Sequence, residues 1–258
     1  MKRIGVVALN TFREAVRDRV LYNLVFFALV MMAASILVGQ ISIGIEKTVI
    51  VTLGLSAISV IGLLISVFIG VGLVSKEMDK RTLYALLAKP VRRWEFLLGK
   101  FGGLLLTLAV NTAAMGIGLL LALLYLKQTL ERSDVTVFVA VYFIWLKLAL
   151  VVALALLFSC FTTPLLAILF TAGIYIAGLY VQELRDLPKN AMSPGLAAFT
   201  KWFSYLLPNF ENYNIMAIAA HDRFVPKQFI LQNTLYTVLY CTVVLTAAVL
   251  VFSRRNLK

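Results

Sequence analysis

Glu211, His221 and Asp222 are the side chains in this sequence whose types and spacing come closest to an acid–base or metal cluster. His221 is the single histidine, and a metal site needs clustered ligands, so the residue reads as a solvated loop side chain. Neither H-E-x-x-H nor G-x-S-x-G occurs. A nucleotide phosphate loop needs G-x-x-x-x-G-K-[ST]. The nearest stretch, Leu98-Gly99-Lys100-Phe101, lacks both the upstream glycine and the hydroxyl. The sequence therefore predicts no catalysis by this chain, and no metal or cofactor bound to it. An enzyme would have to use Glu211, His221 and Asp222 at one membrane surface.

Two further polar residues stand out because of where they fall. Lys147 lies about ten residues into an apolar stretch, where an ionisable group costs several kcal/mol unless it is paired, wet or snorkelling. It either lines a path or interface cavity, or snorkels from a span that starts later, near Trp145. Asn111, midway along another apolar stretch, is expected to donate an interhelical hydrogen bond. Gly62, Gly70 and Gly72 suit close helix packing, and they equally suit hinges.

The elements that must position these residues are membrane helices. The 258 residues are 62% hydrophobic and 14% charged, with mean hydropathy +0.95. A soluble domain carries roughly a quarter charged residues. The expected fold is thus an all-α integral membrane protein forming a single transmembrane domain over 1–258. Six stretches can cross a ~30 Å hydrocarbon core as helices, near 21–42, 49–75, 101–126, 137–160, 164–183 and 230–252. Most of the 24 Lys and Arg residues fall on the side holding both chain ends and residues 76–100. Both termini are therefore expected in the cytoplasm, and the chain in the inner or plasma membrane. The net charge of +12 reflects topology and anionic lipid, not nucleic acid. Cys160 and Cys241 both fall in apolar stretches, which argues against a disulfide framework. The first twenty residues are too charged for a signal peptide.

Residues 1–20 read as an amphipathic interface helix, with Ile4, Val7, Ala8, Thr11, Phe12, Ala15 and Val16 at helical spacing. Arg13 and Arg17, one turn apart on the wetter side, would meet anionic headgroups. At the other surface, residues 184–229 are too aromatic for a linker. Ser193-Pro194 offers an N-cap followed by proline in the first turn, and the following apolar run ends at Pro208. Residues 209–220 form a second stretch. Two short helices dipping into the outer leaflet are expected, with a self-packed cap as the alternative.

Residues 76–100 are the densest charged segment between two spans. Residues 80–88 can form a short amphipathic helix with Leu83, Leu86 and Leu87 on one face. Pro90 pushes Lys89 out of helical geometry, and a new helix starts near Val91 with Arg92, Arg93 and Glu95 in its first turns. An ordinary positive-inside loop needs neither the apolar face nor the turn.

This segment resembles the cytoplasmic loop of ABC-type export permeases of the second class. Their pattern is an acidic pair, Gly-Thr-Leu, Leu-Leu, a Pro-Val-Ser-Arg-like turn, and Leu-Leu-Gly-Lys opening a span. The matching positions here are Glu77 and Asp79, Thr82-Leu83, Leu86-Leu87, Pro90-Val91, Arg92 and Arg93, Glu95, and Leu97-Leu98-Gly99-Lys100. Arg81 stands where the family often has glycine. Phe12, Glu14, Arg17, Asp18 and Arg19 are similar to the family's opening motif, and Phe12, Arg13, Glu14, Arg17 and Asp18 are the candidate site residues of the interface helix. Leu207-Pro208-Asn209-Phe210 resembles permeases near nitrous-oxide-reductase maturation clusters. The resemblance covers the whole layout. It implies a six-span transmembrane subunit whose coupling helix docks on a separate ABC ATPase carrying ATP-Mg. It also implies a dimer with itself or a related permease, working as an exporter of unspecified substrate. A non-transporting membrane anchor or assembly factor that recruits a cytoplasmic protein has the same layout and is the alternative.

Overall fold

The computed structural model describes residues 2–41, 44–79, 92–127, 134–186, 194–221 and 223–254. Among them every regular element is helical: α1 (Lys2–Val16), α2 (Arg19–Ile41), α3 (Glu46–Asp79), α4 (Arg93–Lys127), α5 (Val135–Ser159), α6 (Pro164–Leu179), α7 (Val181–Asp186), α8 (Pro194–Leu206), a 3₁₀ turn (Glu211–Tyr213), α9 (Met216–Ala220) and α10 (Lys227–Arg254).

Four of these are long and apolar enough to cross a membrane, namely Glu46–Gly72 within α3, Arg93–Tyr125 within α4, α5 and α10. The apolar runs Val25–Gly39 in α2 and Pro164–Leu179 in α6 are shorter. At 16 residues, α6 is about 24 Å long, against a hydrocarbon core of ~30 Å. The expected span 164–183 is therefore interrupted, and the cause is local. The Gly178 carbonyl accepts the Phe210 N–H at 3.0 Å, so it does not continue the helical ladder. The absent Gly178 side chain leaves room for this approach, since a Cβ there would sit 2.5 Å from the Pro208 carbonyl oxygen. Tyr180 then leaves helical geometry, and α7 restarts at Val181.

The core is built around α5. Phe143, Leu148, Leu150, Val151, Val152, Ala153 and Leu156 are all buried, and α3, α4, α6 and α10 pack around them. Gly62 brings α3 against α5: a Cβ there would lie 2.5 Å from Leu148 Cδ1. Gly70 makes an ordinary contact with Ala155, and Gly72 has nothing within 4 Å among the described residues. Of the three glycines expected to serve packing, Gly62 is the one that close approach requires. Outward-facing apolar side chains such as Phe26, Leu165, Leu239 and Val243 are exposed, as suits helices surrounded by lipid.

The segment after α6 only partly follows the expectation of two dipping helices. α8 begins at Pro194, in agreement with the Ser193-Pro194 signal, and it exposes Trp202, Tyr205 and Leu206. Residues 209–220 do not form a second helix of comparable length. Asn209 Oδ1 accepts the Glu211 and Asn212 N–H groups at 3.1 and 3.4 Å, which makes a turn. The 3₁₀ turn and the five-residue α9 follow. Phe210, Tyr213 and Ile215 are buried, so this stretch caps the bundle. Tyr213 shares a 2.6 Å hydrogen bond with Thr237 of α10, and burial pushes its phenol well up, so it stays neutral. At the same end Lys47 pairs with the buried Asp134 at 3.1 Å.

Candidate functional site

Residues 80–91 lie outside the described residues, and with them Arg81, Thr82, Leu83, Leu86, Leu87 and Pro90. For Glu77 and Asp79 only the backbone is described, as the last turn of α3. The structure does describe the frame that holds this segment. α3 continues past its apolar run from Gly72 to Asp79, and α4 begins at Arg93. α1 and the end of α10 are at the same end of the bundle.

α1 packs against α4 through missing side chains. A Cβ on Gly99 would lie 2.6 Å from Val7 Cβ. One turn on, a Cβ on Gly103 would lie 2.5 Å from the Ala8 carbonyl oxygen and 2.6 Å from Thr11 Cβ. Gly99-x-x-x-Gly103 thus forms a flat strip on which the backbone of α1 rests. The face expected to be apolar is the face that docks: Ala15 and Thr11 are fully buried, and Ile4, Val7 and Ala8 are half-buried. Its partner is protein, where sequence reasoning had only a membrane surface to offer. The small-xxx-small spacing was the signal for this contact. Under α1 the Lys100 side chain is 2% exposed; its Nζ lies 3.4 Å from a Glu14 carboxylate oxygen and 5.7 Å from the Phe96 ring centroid.

The first turn of α4 fastens α10. Arg93 donates to the Phe252 and Ser253 carbonyls, both at 2.8 Å, and its guanidinium lies 5.8 Å from the Phe252 ring centroid. Those carbonyls belong to the last described turn of α10, and a cation suits the C-terminal end of a helix dipole. Glu95 is buried and accepts the Arg92 N–H at 2.9 Å, the return half of a capping box. Arg93 and Glu95, which the resemblance assigned to docking, thus also have structural partners inside the chain. Replacing Arg93 with methionine is expected to cost about 1.5–3 kcal/mol, typical of hydrogen bonds to a charged group. Amides of the last α10 turn should then exchange hydrogen faster; unchanged exchange there would show that Arg93 does not hold this end.

Deeper in the bundle, Lys147 sits at the middle of α5 and is 4% exposed. Its ammonium donates to Ser59 Oγ of α3 at 2.5 Å and lies 5.9 Å from the Tyr175 ring centroid of α6. α5 begins well before Trp145, and the side chain points into the bundle, so it does not snorkel. Asn111 is buried in α4, and its Nδ2 meets no acceptor among the described residues.

Glu211 and His221 lie in the capping segment at the other end of the bundle. Among the described residues no group of three or more His, Cys, Asp or Glu side chains is placed to hold a metal; Asp222 lies outside them. Phe12, Arg13, Glu14, Arg17 and Asp18 all lie in or just after α1, with Arg13 and Arg17 exposed on the face turned away from α4.

No curated protein matches the chain. Residues 6–257 match the model of the ABC-2 family transporter protein. That match takes in nearly all of α1, every candidate span and the capping segment between α6 and α10. The chain therefore belongs to the ABC-2 transporter family, whose members are membrane proteins of the permease type.

Proposed function

We propose that the chain is the six-span permease subunit of an ATP-driven exporter, with residues 76–95 as the docking site for a separate ABC ATPase. In this reading α2 and α6 complete the six spans. The α1 end lies in the cytoplasm, the chain sits in the inner or plasma membrane, and two subunits form the working unit. The family match over almost the whole sequence carries the proposal. The frame around residues 80–91 supports it mechanically: α4 is joined to α1 by a glycine strip and to α10 by Arg93, so a push on the segment reaches three helices together. ATP-Mg would be held by the partner. Glu77, Asp79 and the Leu83, Leu86 and Leu87 face supply charge and apolar contact to it.

The test is purification of the tagged chain in mild detergent with identification of what accompanies it. An ATP-hydrolysing subunit is expected at stoichiometric amount. Charge reversal of Glu77 and Asp79 together should reduce its recovery at least tenfold while leaving membrane insertion intact. Recovery of a folded permease without any ATPase would overturn the proposal and favour the anchor reading.

A further inference from the structure

With one face of α1 seated on α4, the helix also lines a shallow concavity of about 690 Å³ whose described lining is Asn10, Phe12, Arg13, Glu14, Val16 and Arg17. Arg13 and Arg17 are one turn apart and exposed, and neither has an ion pair among the described residues. The negative charge of Glu14 is directed elsewhere, to Lys100 at 3.4 Å. Phe12 and Val16 are half-buried beside the two guanidiniums and give the concavity an apolar floor.

α2 follows at Arg19 and exposes the apolar side chains of Tyr22, Phe26 and Phe27. Arg17 precedes Tyr22 by five residues, so the two arginines stand just before an apolar helix face suited to lipid.

We propose that Arg13 and Arg17 clamp the phosphate of an anionic phospholipid headgroup at the surface where α1 lies. Planar guanidiniums donate in pairs to phosphate oxygens, Asn10 adds a neutral donor one turn before Arg13, and the start of an acyl chain lies on Phe12 and Val16. The site rests on the reading of the chain as a membrane permease and not on the identity of its ATPase. Because α1 is seated on α4, a lipid held here fixes the height at which α4 enters the membrane.

The full-length chain would be purified in detergent and its bound lipid counted by native mass spectrometry after adding phosphatidylglycerol or phosphatidylcholine. Parent protein is expected to retain phosphatidylglycerol at least tenfold better than the Arg13→Gln, Arg17→Gln double variant, with phosphatidylcholine retained equally poorly by both. These substitutions leave the docked face of α1 untouched, so an unchanged melting temperature is the folding control. Arg13→Lys with Arg17→Lys should recover part of the retention, since the charge remains but the paired donors do not. Equal retention of phosphatidylglycerol by parent and Gln variant would overturn the site. Displacement by millimolar inorganic phosphate, with no preference for anionic lipid, would make it a free-phosphate site and overturn it too. Loss of the ATPase in the Gln variant with lipid retention unchanged would assign the arginines to an acidic protein surface, also against the proposal. Loss of the lipid with ATPase recovery intact supports the site, whatever becomes of the docking segment.

Discussion

Gly103→Leu should detach α1 from the bundle. A Cβ at position 103 already falls 2.5 Å from the Ala8 carbonyl oxygen, a backbone atom that no rotamer change can remove. Overpacking of an interior contact costs about 1–3 kcal/mol when side chains can adjust, and here the resisting group is a helix backbone. Leucine is therefore expected to sit at or above the upper end of that range and to be relieved by separation of the two helices. A geometric reporter lies next to the site: a Cβ on Gly102 would be 3.7 Å from Ala8 Cβ, close to the mean of about 3.8 Å across a disulfide. Ala8→Cys with Gly102→Cys should cross-link readily on oxidation, while the native Cys160 and Cys241 stay buried. Adding Gly103→Leu should abolish the cross-link and lower the melting temperature in detergent. A cross-link of undiminished yield would show that α1 does not depend on the glycine strip. Detachment would also bare Lys100, which is covered by α1 and faces Glu14.

What the sequence made legible here followed from periodicity and composition. The all-helical architecture, the buried face of α1 and the start of α8 at Pro194 each came from a signal contained in a few neighbouring residues. What it hid were relations between distant segments. Arg93 reads as one more cation in a basic loop, because nothing near it in sequence reveals the Phe252 and Ser253 carbonyls it meets. Pro164–Leu179 reads as the first part of a longer span, because its interruption is caused by Phe210, some thirty residues on. Lys147 was conspicuous by type, but whether it snorkelled or turned inward depended on Ser59 of α3. Gly99 and Gly103 have a readable spacing, but they straddle the boundary between the charged segment and the next expected span, and nothing near them in sequence reveals α1 as the partner. Asn111 is the reverse case: a hydrogen-bond donor by position whose Nδ2 finds no acceptor among the described residues.

Lys147→Met should leave the bundle at least as stable as the parent while lowering its activity. A lysine at the centre of a membrane helix costs about 2.5–3.5 kcal/mol on insertion scales. Against that, the protein offers a hydroxyl at 2.5 Å and a ring face at 5.9 Å. A desolvated cation–π contact contributes about 2 kcal/mol, and a hydrogen bond from a charged group about 1.5–3 kcal/mol. The two sides are comparable, so removing charge and contacts together is close to neutral, and methionine fills the same slot with a flexible stem. Removing only the partner is not neutral. Ser59→Ala leaves a buried ammonium without its acceptor and should cost about 1–3 kcal/mol, a loss that should vanish in the Lys147→Met background. Such non-additivity is the mark of a direct interaction between residues in contact. A charge that contributes nothing net to stability, yet ties the α3 leading into the proposed docking segment to α5 and α6, is expected to matter when these helices move. ATP turnover by the purified complex should therefore fall at least tenfold in Lys147→Met with the melting temperature maintained. A marked drop in melting temperature would make the ammonium a structural element, and unchanged turnover would remove it from the working cycle.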